Sequence, residues 1–187
     1  MANMGDSHLI VDLVRTYLGS DVRRGAEIGV HRGATSAKLL AAFRNLTLVM
    51  VDPWCEFDPM GSYAATRDGC ARFTKDDQLL NYQVALEATE AYASRRIVQR
   101  MTSEEAAQVP FGFDFVFIDA EHSYEAVKRD IGLWYPKIRS GGLLAGHDYG
   151  HPKNARGLFG VDRAVDEFFK ETGLLLRRSG SCWGVVK

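Results

Sequence analysis

The sequence predicts an α/β protein built on an open, doubly wound sheet of mostly parallel strands. Short apolar runs, several of which end in an acidic residue, alternate along the chain with segments whose apolar residues recur at helical spacing. This alternation favours a parallel sheet with helices on both faces and right-handed crossovers. The last two runs flank a Ser-Gly-Ser turn, which predicts an antiparallel pair near the C-terminus. We therefore expect a Rossmann-like sheet of seven strands.

Length and composition limit the class of protein. A chain of 187 residues with 46% hydrophobic and 25% charged residues is typical of one globular domain, expected over residues 1–187. The net charge of −1 provides no electrostatic reason to expect nucleic acid or a membrane surface as a partner. No apolar run reaches the roughly 18–20 residues that cross a bilayer. The three cysteines lack metal-ligand spacing and predict reduced thiols, so we expect a cytoplasmic location.

The first half of the chain contains two helix–strand units. Apolar residues at helical spacing predict an N-terminal helix within residues 1–20. The first strand is expected at 25–30 and the next helix at 33–43. A near-continuous apolar run at 46–52 predicts a second strand that is buried on both faces and ends at Asp52.

Residues 53–75 lack a regular period and are rich in Gly, Pro, Asp and aromatic residues. Long loops of this kind in compact domains are often functional, so we expect an inserted, lid-like loop. A helical period resumes at 76–94. The side chains predicted to be buried there are Leu79, Leu80, Val84, Leu86 and Ala91.

The second half continues the alternation. Strands are expected at 96–100, 113–119 and 143–148, helices at 124–135 and 161–172, and the antiparallel pair at 174–178 and 182–186. A hydroxyl residue followed by acids near residue 102 predicts a helix cap.

Polar residues lie at the carboxyl ends of the predicted strands, where open α/β sheets bind ligands. They are Glu27, Asp52, Asp119, His147 and Asp148, and Gly29 lies on the same strand as Glu27. A single acid at a strand end can simply cap the next helix, but several on one edge favour a shared site. At the first strand, a glycine turn leads into a helix whose N-terminal N–H groups face the same edge. This geometry is typical of a nucleotide or cofactor site.

Five segments carry a resemblance to a known family. They are Glu27-Ile28-Gly29-Val30-His31-Arg32-Gly33, Val51-Asp52-Pro53-Trp54, Phe117-Ile118-Asp119-Ala120-Glu121-His122-Ser123-Tyr124, Gly141-Gly142-Leu143-Leu144-Ala145-Gly146-His147-Asp148-Tyr149 and Gly160-Val161-Asp162-Arg163-Ala164-Val165. With them the chain resembles class I S-adenosylmethionine-dependent methyltransferases. Within that class it is most similar to the small bacterial group related to macrocin-type sugar O-methyltransferases, and more distantly to catechol-type enzymes.

The resemblance implies a cofactor site. Glu27 and Gly29, with the turn through His31 to Gly33, would hold the amino-acid end and the sulfonium side of S-adenosylmethionine. Asp52 would accept hydrogen bonds from the ribose hydroxyls. The other implied cofactor contacts are Trp54, which would stack on adenine or close the pocket, Thr102 and Ser103 at the adenine, and Asp119. A nicotinamide dinucleotide is the competing cofactor, but the turn lacks the G-x-G-x-x-G spacing that approaches a pyrophosphate.

Methyl transfer to oxygen also needs a base or a metal that frees the acceptor hydroxyl. The resemblance implies that Asp119 and Asp148 would hold a divalent cation such as Mg²⁺, with His147 as a further ligand for a borderline ion. His122, three residues after Asp119, is the first choice for a general base, because its usual pKa is near neutrality. The alternative is that His122 caps the following helix or bonds to Asp119. His147 and His151 are second choices as the base.

These features predict S-adenosylmethionine-dependent methyl transfer to a hydroxyl of a small molecule, such as a sugar or a natural product. The predicted catalytic residues are His122, Asp119 and His147. Because the chain has no room for a separate substrate domain, the acceptor is expected to be small or to bind at the interface of a homodimer. A non-catalytic nucleotide-binding module and a nicotinamide-dependent oxidoreductase are the alternative functions.

Overall fold

A computed structural model describes residues 7–108 and 112–187. It contains one seven-stranded sheet in the order β3-β2-β1-β4-β5-β7-β6. The strands are β1 (Arg24–Ile28), β2 (Thr47–Val51), β3 (Arg96–Gln99), β4 (Phe113–Ile118), β5 (Ile138–Gly146), β6 (Arg177–Ser179) and β7 (Cys182–Val186). β1 to β5 are parallel, whereas β7 pairs antiparallel with both β5 and β6. The predicted fold class and the antiparallel pair are confirmed.

The helices are placed between these strands. They are α1 (Ser7–Leu18), α2 (Ala34–Ala42), α3 (Ser62–Ala65), α4 (Lys75–Ala88), α5 (Ser103–Ala106), α6 (Tyr124–Trp134), α7 (Pro152–Ala155) and α8 (Val161–Thr172). Short 3₁₀ turns lie at Cys70–Arg72, Glu90–Arg95 and Tyr135–Lys137. Within the part of the chain described, no helix combines the length and apolar character needed to cross a bilayer. Residues 1–6 of the predicted N-terminal segment lie outside the described residues.

Alternating side chains of the sheet enter two separate cores. Ala26 and Ile28 of β1 belong to a cluster with Ile131 of α6 and Val165 of α8. On the opposite face, Phe115 and the neighbouring alternate positions of β4 and β2 pack with residues of α1 and α2. Helices therefore cover both faces of the sheet, which explains why its central strands are near-continuous apolar runs.

The prediction for residues 76–94 is partly wrong. The α-helix ends at Ala88, and none of the five predicted side chains is fully buried. Leu79 and Leu80 are 44% and 50% exposed, Val84 and Leu86 are half-buried, and Ala91 is exposed in the turn after the helix. The buried face instead consists of Gln78, Asn81 and Ala85. Asn81 accepts a 2.8 Å hydrogen bond from Arg32 Nε in the glycine turn, so polar pairing and a small residue determine which side of α4 packs inward.

Backbone hydrogen bonds continue just beyond the carboxyl ends of the strands and hold the following residues in register. Gly29 N–H donates to Val51 O at 2.9 Å and Asp119 N–H donates to Ile28 O at 2.7 Å. His147 N–H likewise donates to Ile118 O at 3.1 Å. Because neighbouring strand ends are tied in register, the polar residues that follow β1, β2, β4 and β5 meet at one edge. The strand order reverses between β1 and β4, where such sheets form their ligand crevice.

Candidate active site

The glycine turn after β1 uses left-handed backbone at three positions: Gly29 (φ 90°), His31 (φ 53°) and Gly33 (φ 74°). A Cβ atom on Gly29 would lie 2.2 Å from the carbonyl oxygen of Asp119. Glycine is therefore required here by close contact with the backbone after β4. The turn and the end of β4 form one compact unit.

Asp52 holds this turn through its carboxylate. Its Oδ2 accepts the N–H groups of Val30 at 3.0 Å and His31 at 2.9 Å, and its Oδ1 accepts the Trp54 N–H at 2.8 Å. Burial raises the pKa of Asp52, and the three backbone donors oppose that shift. A carboxylate has about four acceptor positions, so Oδ1 retains capacity for a ribose hydroxyl. The ribose role of Asp52 stays a prediction.

Trp54 closes the turn from the side of α4. Its indole N–H donates to His31 O at 2.7 Å, and its ring meets Tyr82 edge-on with centroids 5.0 Å apart. The His31 ring stacks on Phe73 at 5.5 Å, so residues of the 53–75 segment cover both sides of the turn. Trp54 is 1% exposed and packs as a core residue, which favours pocket closure over an open stacking surface.

Glu27 lies beneath the turn and is 1% exposed. It accepts a hydrogen bond from the hydroxyl of Ser36 in α2. Burial raises the pKa of Glu27 well above its ordinary value, against the effect of Ser36. This contact ties β1 to the helix that follows the turn.

Thr102 and Ser103 follow β3, as predicted, but their hydroxyls contact the protein itself. Thr102 forms a capping box with Glu105 at the start of α5. Ser103 Oγ donates to Asp130 Oδ1 at 2.6 Å and accepts the Trp134 indole N–H at 2.9 Å. Their predicted contact with adenine stays untested.

The buried carboxyl of Asp130 makes the stability of the fold depend on pH. Burial raises the pKa of Asp130 from 3.8 to about 6, although the Ser103 hydrogen bond opposes this shift. Because the folded state favours the protonated form, this group stabilises the fold most below pH 3.8 and loses that contribution as pH rises to about 6. Asp130→Asn, which can still accept from Ser103, should remove this loss. Urea unfolding at pH values from 3.8 to above 6 measures it, and identical pH dependence in variant and wild type would contradict the assignment.

Three buried side-chain atoms among the described residues have no hydrogen-bond partner: His31 Nε2, Gln99 Oε1 and His122 Nε2. All three belong to residues at or just beyond the carboxyl ends of β1, β3 and β4. Buried polar atoms are normally satisfied, so their position fits an edge that binds a polar ligand such as S-adenosylmethionine. Gln99 was not among the residues predicted from sequence; its position as the last residue of β3 is the signal that could have identified it.

A cluster of acids and histidines lies beyond β4 and β5. His122 Nδ1 is 2.7 Å from Asp68 Oδ2, and its Nε2 is 2.9 Å from Asp148 Oδ2 and 3.7 Å from Asp119 Oδ1. His122 Nε2 and Asp148 Oδ2 are close, but their angles are not those of a hydrogen bond. Nε2 therefore has no hydrogen-bond partner. His147 Nδ1 lies 3.6 Å from Asp119 Oδ1 and 3.5 Å from Asp148 Oδ2.

The carboxylates of this cluster determine the charge of both histidines. Although burial opposes it, Asp119, Asp148 and Asp68 raise the pKa of His122 well above its ordinary value. Asp119 and Asp148 likewise raise the pKa of His147 to about 10 against the effect of burial. Conversely, the two imidazoles hold the pKa of Asp148 far below its usual range although burial raises it. The carboxylates therefore favour the protonated form of both histidines when no cation is bound.

The same cluster fits a metal ion. Asp119, His122 and Asp148 each offer a ligand atom, and these atoms lie within 4.8 Å of one another. A cavity of about 10 Å³ borders Asp119, His122 and His147, but Asp148 does not line it, and much of its remaining wall is apolar. Asp148 adopts φ 60°, a conformation that asparagine and aspartate tolerate best among non-glycine residues. Asp119 and Asp148 therefore lie close together, as predicted. The third candidate ligand is His122, whereas the sequence suggested His147.

Asp68 was missing from the residues predicted from sequence. It lies in the irregular 53–75 segment, 54 positions before His122. An acid inside a predicted lid was the available signal, but no spacing rule connects it to this histidine.

Comparison with known proteins identifies the family of the chain. Residues 26–149 match the methyltransferase-domain family. The chain is 22% identical over 147 residues to an uncharacterized protein of Acanthamoeba polyphaga mimivirus, in a match that covers 76% of this chain and 58% of that relative.

Solved structures share the fold. The calicheamicin methyltransferase CalS11 superposes with a TM-score of 0.68 at 16% identity, over 98% of this chain and 79% of that chain. An O-methyltransferase from Bacillus cereus in complex with SAH superposes with a TM-score of 0.63 at 15% identity, over 100% of this chain and 82% of that chain. Since the family match extends over residues 26–149 and the fold is the one that these solved methyltransferases share, the chain belongs to the methyltransferase-domain family.

Proposed function

We propose that this enzyme transfers the methyl group of S-adenosylmethionine to a hydroxyl oxygen of a small molecule, such as a sugar or a natural product. The observation that carries the proposal is the Asp119–His122–Asp148 cluster at the carboxyl edge, next to the glycine turn. Transfer to oxygen requires that a hydroxyl be made nucleophilic, and this cluster supplies the acids and imidazole for that step. The calicheamicin enzyme and the Bacillus cereus O-methyltransferase support the proposal as structural relatives.

The cofactor is assigned to the β1–β2 side of the edge. Glu27, Gly29, His31, Gly33 and Asp52 would hold it, with Trp54 closing the pocket. When bound, S-adenosylmethionine supplies a methyl group on a sulfonium, which makes that carbon electrophilic. The chain's own residues must place an acceptor oxygen in line with this carbon and exclude water.

A divalent cation is assigned to Asp119, His122 and Asp148. When bound, it acts as a Lewis acid that lowers the pKa of the acceptor hydroxyl. An imidazole in the ligand set favours Mn²⁺, Co²⁺ or Zn²⁺ over Mg²⁺, which prefers oxygen ligands. His122 is then a ligand, because its Nε2 lies 2.9 Å from Asp148 Oδ2 and 3.7 Å from Asp119 Oδ1. A nitrogen lone pair that binds a cation cannot also accept the hydroxyl proton, so His122 is not the base.

The hydroxyl proton is assigned to Asp119. Its Oδ1 lies 3.7 Å from His122 Nε2 and 3.6 Å from His147 Nδ1, which is longer than a hydrogen bond to either ring. His147 remains beside it and is held from its other side, because its Nε2 lies 2.8 Å from Ser181 Oγ. A protonated His147 would stabilise the negative charge that remains on Asp148 once Asp119 has accepted the proton.

Calorimetric titration with S-adenosylhomocysteine, with NAD as the control, tests this function first. We expect S-adenosylhomocysteine to bind and NAD not to bind. Titration of the metal-free protein with Mn²⁺ and with Mg²⁺ should show tighter binding of Mn²⁺. Binding of NAD alone would replace the proposal with an oxidoreductase, and binding of neither cofactor would favour a non-catalytic module.

Asp52→Ala should weaken S-adenosylhomocysteine binding by more than about tenfold, or about 1.4 kcal/mol, because it removes both the ribose acceptor and the support of the turn. Calorimetry measures the affinity, and thermal unfolding reports the loss of support separately. Asp58→Ala, at an exposed acid of the neighbouring segment, is the control. An unchanged affinity in Asp52→Ala would overturn the assignment of this residue.

A further inference from the structure

We propose that Asp68 is a positioning residue that holds the His122 ring with Nε2 directed at Asp119 and Asp148, so that the 53–75 segment completes the candidate active site. The inference deepens the proposed function and depends on it, since His122 is the ligand assigned there. The 53–75 segment, predicted to be a lid, would then also supply a side chain to the site.

Asp68 reaches His122 from a well-anchored loop. Its Oδ2 lies 2.7 Å from His122 Nδ1, while its Oδ1 accepts the Cys70 N–H at 3.0 Å. Its own N–H donates to Thr66 Oγ1 at 3.1 Å, and the buried Thr66 hydroxyl donates to Tyr63 O at 2.6 Å. The two oxygens of the carboxylate therefore have separate roles, since one fixes the loop and the other binds the ring.

The His122 ring is restrained in two independent ways. Phe159 stacks on its face with centroids 4.5 Å apart and planes 15° from parallel, which fixes the plane of the ring. Asp68 fixes the rotation within that plane, because Nδ1 must remain beside its Oδ2. Nε2 is then left facing Asp148 Oδ2 at 2.9 Å and Asp119 Oδ1 at 3.7 Å.

The segment that carries Asp68 is attached to two other loops of the site. Lys153 Nζ donates to Arg67 O at 2.8 Å, and Ser62 Oγ donates to Glu121 Oε1 at 2.8 Å. These contacts join the segment to α7 and to the loop after β4. The Asp68–His122 pair is a third contact between this segment and the rest of the site.

The chemistry of a carboxylate beside a ligand histidine explains the expected effect. An acceptor that takes the Nδ1–H leaves the Nε2 lone pair available to a cation, and losing such a partner typically lowers metal affinity about 10- to 100-fold. In Asp68→Asn, the amide oxygen can keep the Cys70 contact and present its NH₂ group to Nδ1. Nδ1 must then accept, the ring hydrogen moves to Nε2, and the ligand position is blocked.

The experiment compares wild type, Asp68→Asn, Asp68→Ala and the control Asp58→Asn, which changes an exposed acid of the same segment. Calorimetry with Mn²⁺ should give about 10- to 100-fold weaker binding in both Asp68 variants, with the control unchanged. S-adenosylhomocysteine affinity should stay within a few fold in all four proteins, and thermal unfolding verifies that each is folded.

Nuclear magnetic resonance of ¹⁵N-histidine-labelled protein provides the second readout. The His122 Nδ1–H signal, assigned with His122→Asn, should be protected from exchange in wild type and lost in Asp68→Ala. Equal Mn²⁺ affinity or an unchanged His122 signal in folded Asp68 variants would overturn the inference. Failure of wild type to bind S-adenosylhomocysteine would instead count against the proposed function, and the ring signal would still decide the role of Asp68.

Discussion

Asp119→Asn should slow methyl transfer by at least about a hundredfold, while S-adenosylhomocysteine affinity stays within a few fold. Asp119 is assigned two roles, as a ligand of the cation and as the acceptor of the hydroxyl proton. Asparagine keeps the shape of the side chain but removes its charge and its basicity. Removal of a proton acceptor alone costs typically about 10²- to 10⁴-fold, so the combined loss should be among the largest of any single substitution.

Release of S-adenosylhomocysteine over a panel of hydroxylated sugars and phenols measures the rate, and calorimetry measures cofactor and Mn²⁺ affinity. Asp58→Asn serves as the matched control, because it removes an exposed carboxylate outside the cluster. A full loss of S-adenosylhomocysteine binding in Asp119→Asn would place this residue in the cofactor pocket instead. An unchanged rate would remove Asp119 from the mechanism.

Gly29→Ala should destabilise the fold by about 3 kcal/mol or more. The added Cβ would lie 2.2 Å from the Asp119 carbonyl oxygen, and backbone atoms of a sheet edge cannot move aside as a flexible side chain can. The φ of +90° adds strain for any residue with a Cβ. For a domain of this size, such a loss lowers Tm by roughly 2–4 °C for each kcal/mol.

Gly19→Ala is the matched control for this substitution. Gly19 also has a positive φ, +77°, but a Cβ there would meet nothing within 4 Å. It should therefore cost only the backbone strain, about 1 kcal/mol. Urea unfolding gives the free energy of unfolding of each variant, and the difference between them measures the steric contact at Gly29. Equal losses of stability would show that the contact between Gly29 and Asp119 is not the cause.

Local patterns were sufficient to predict the sheet and its ligand edge. The apolar runs before Asp52 and Asp119 fill positions that are buried on both faces, as expected for the central strands of a parallel sheet. The glycine turn at 29–33 could be predicted from sequence because glycine adopts the left-handed backbone of a tight turn without a steric cost. Since parallel strands all present their carboxyl ends at one edge, the meeting of Asp119, His147 and Asp148 could also be expected.

Only the tertiary structure decided which side chains face each other across long sequence separations. α4 buries Asn81 and exposes Leu79 because its partner is Arg32 of the glycine turn, and periodicity alone does not identify a partner. Asp68 belongs to an irregular segment, so no period could relate it to His122. The sequence by itself determined the sheet, the turn and the acids of the site edge, because each depends on local sterics and burial. The orientation of His122 depends on a contact between distant segments, which forms only when the chain folds.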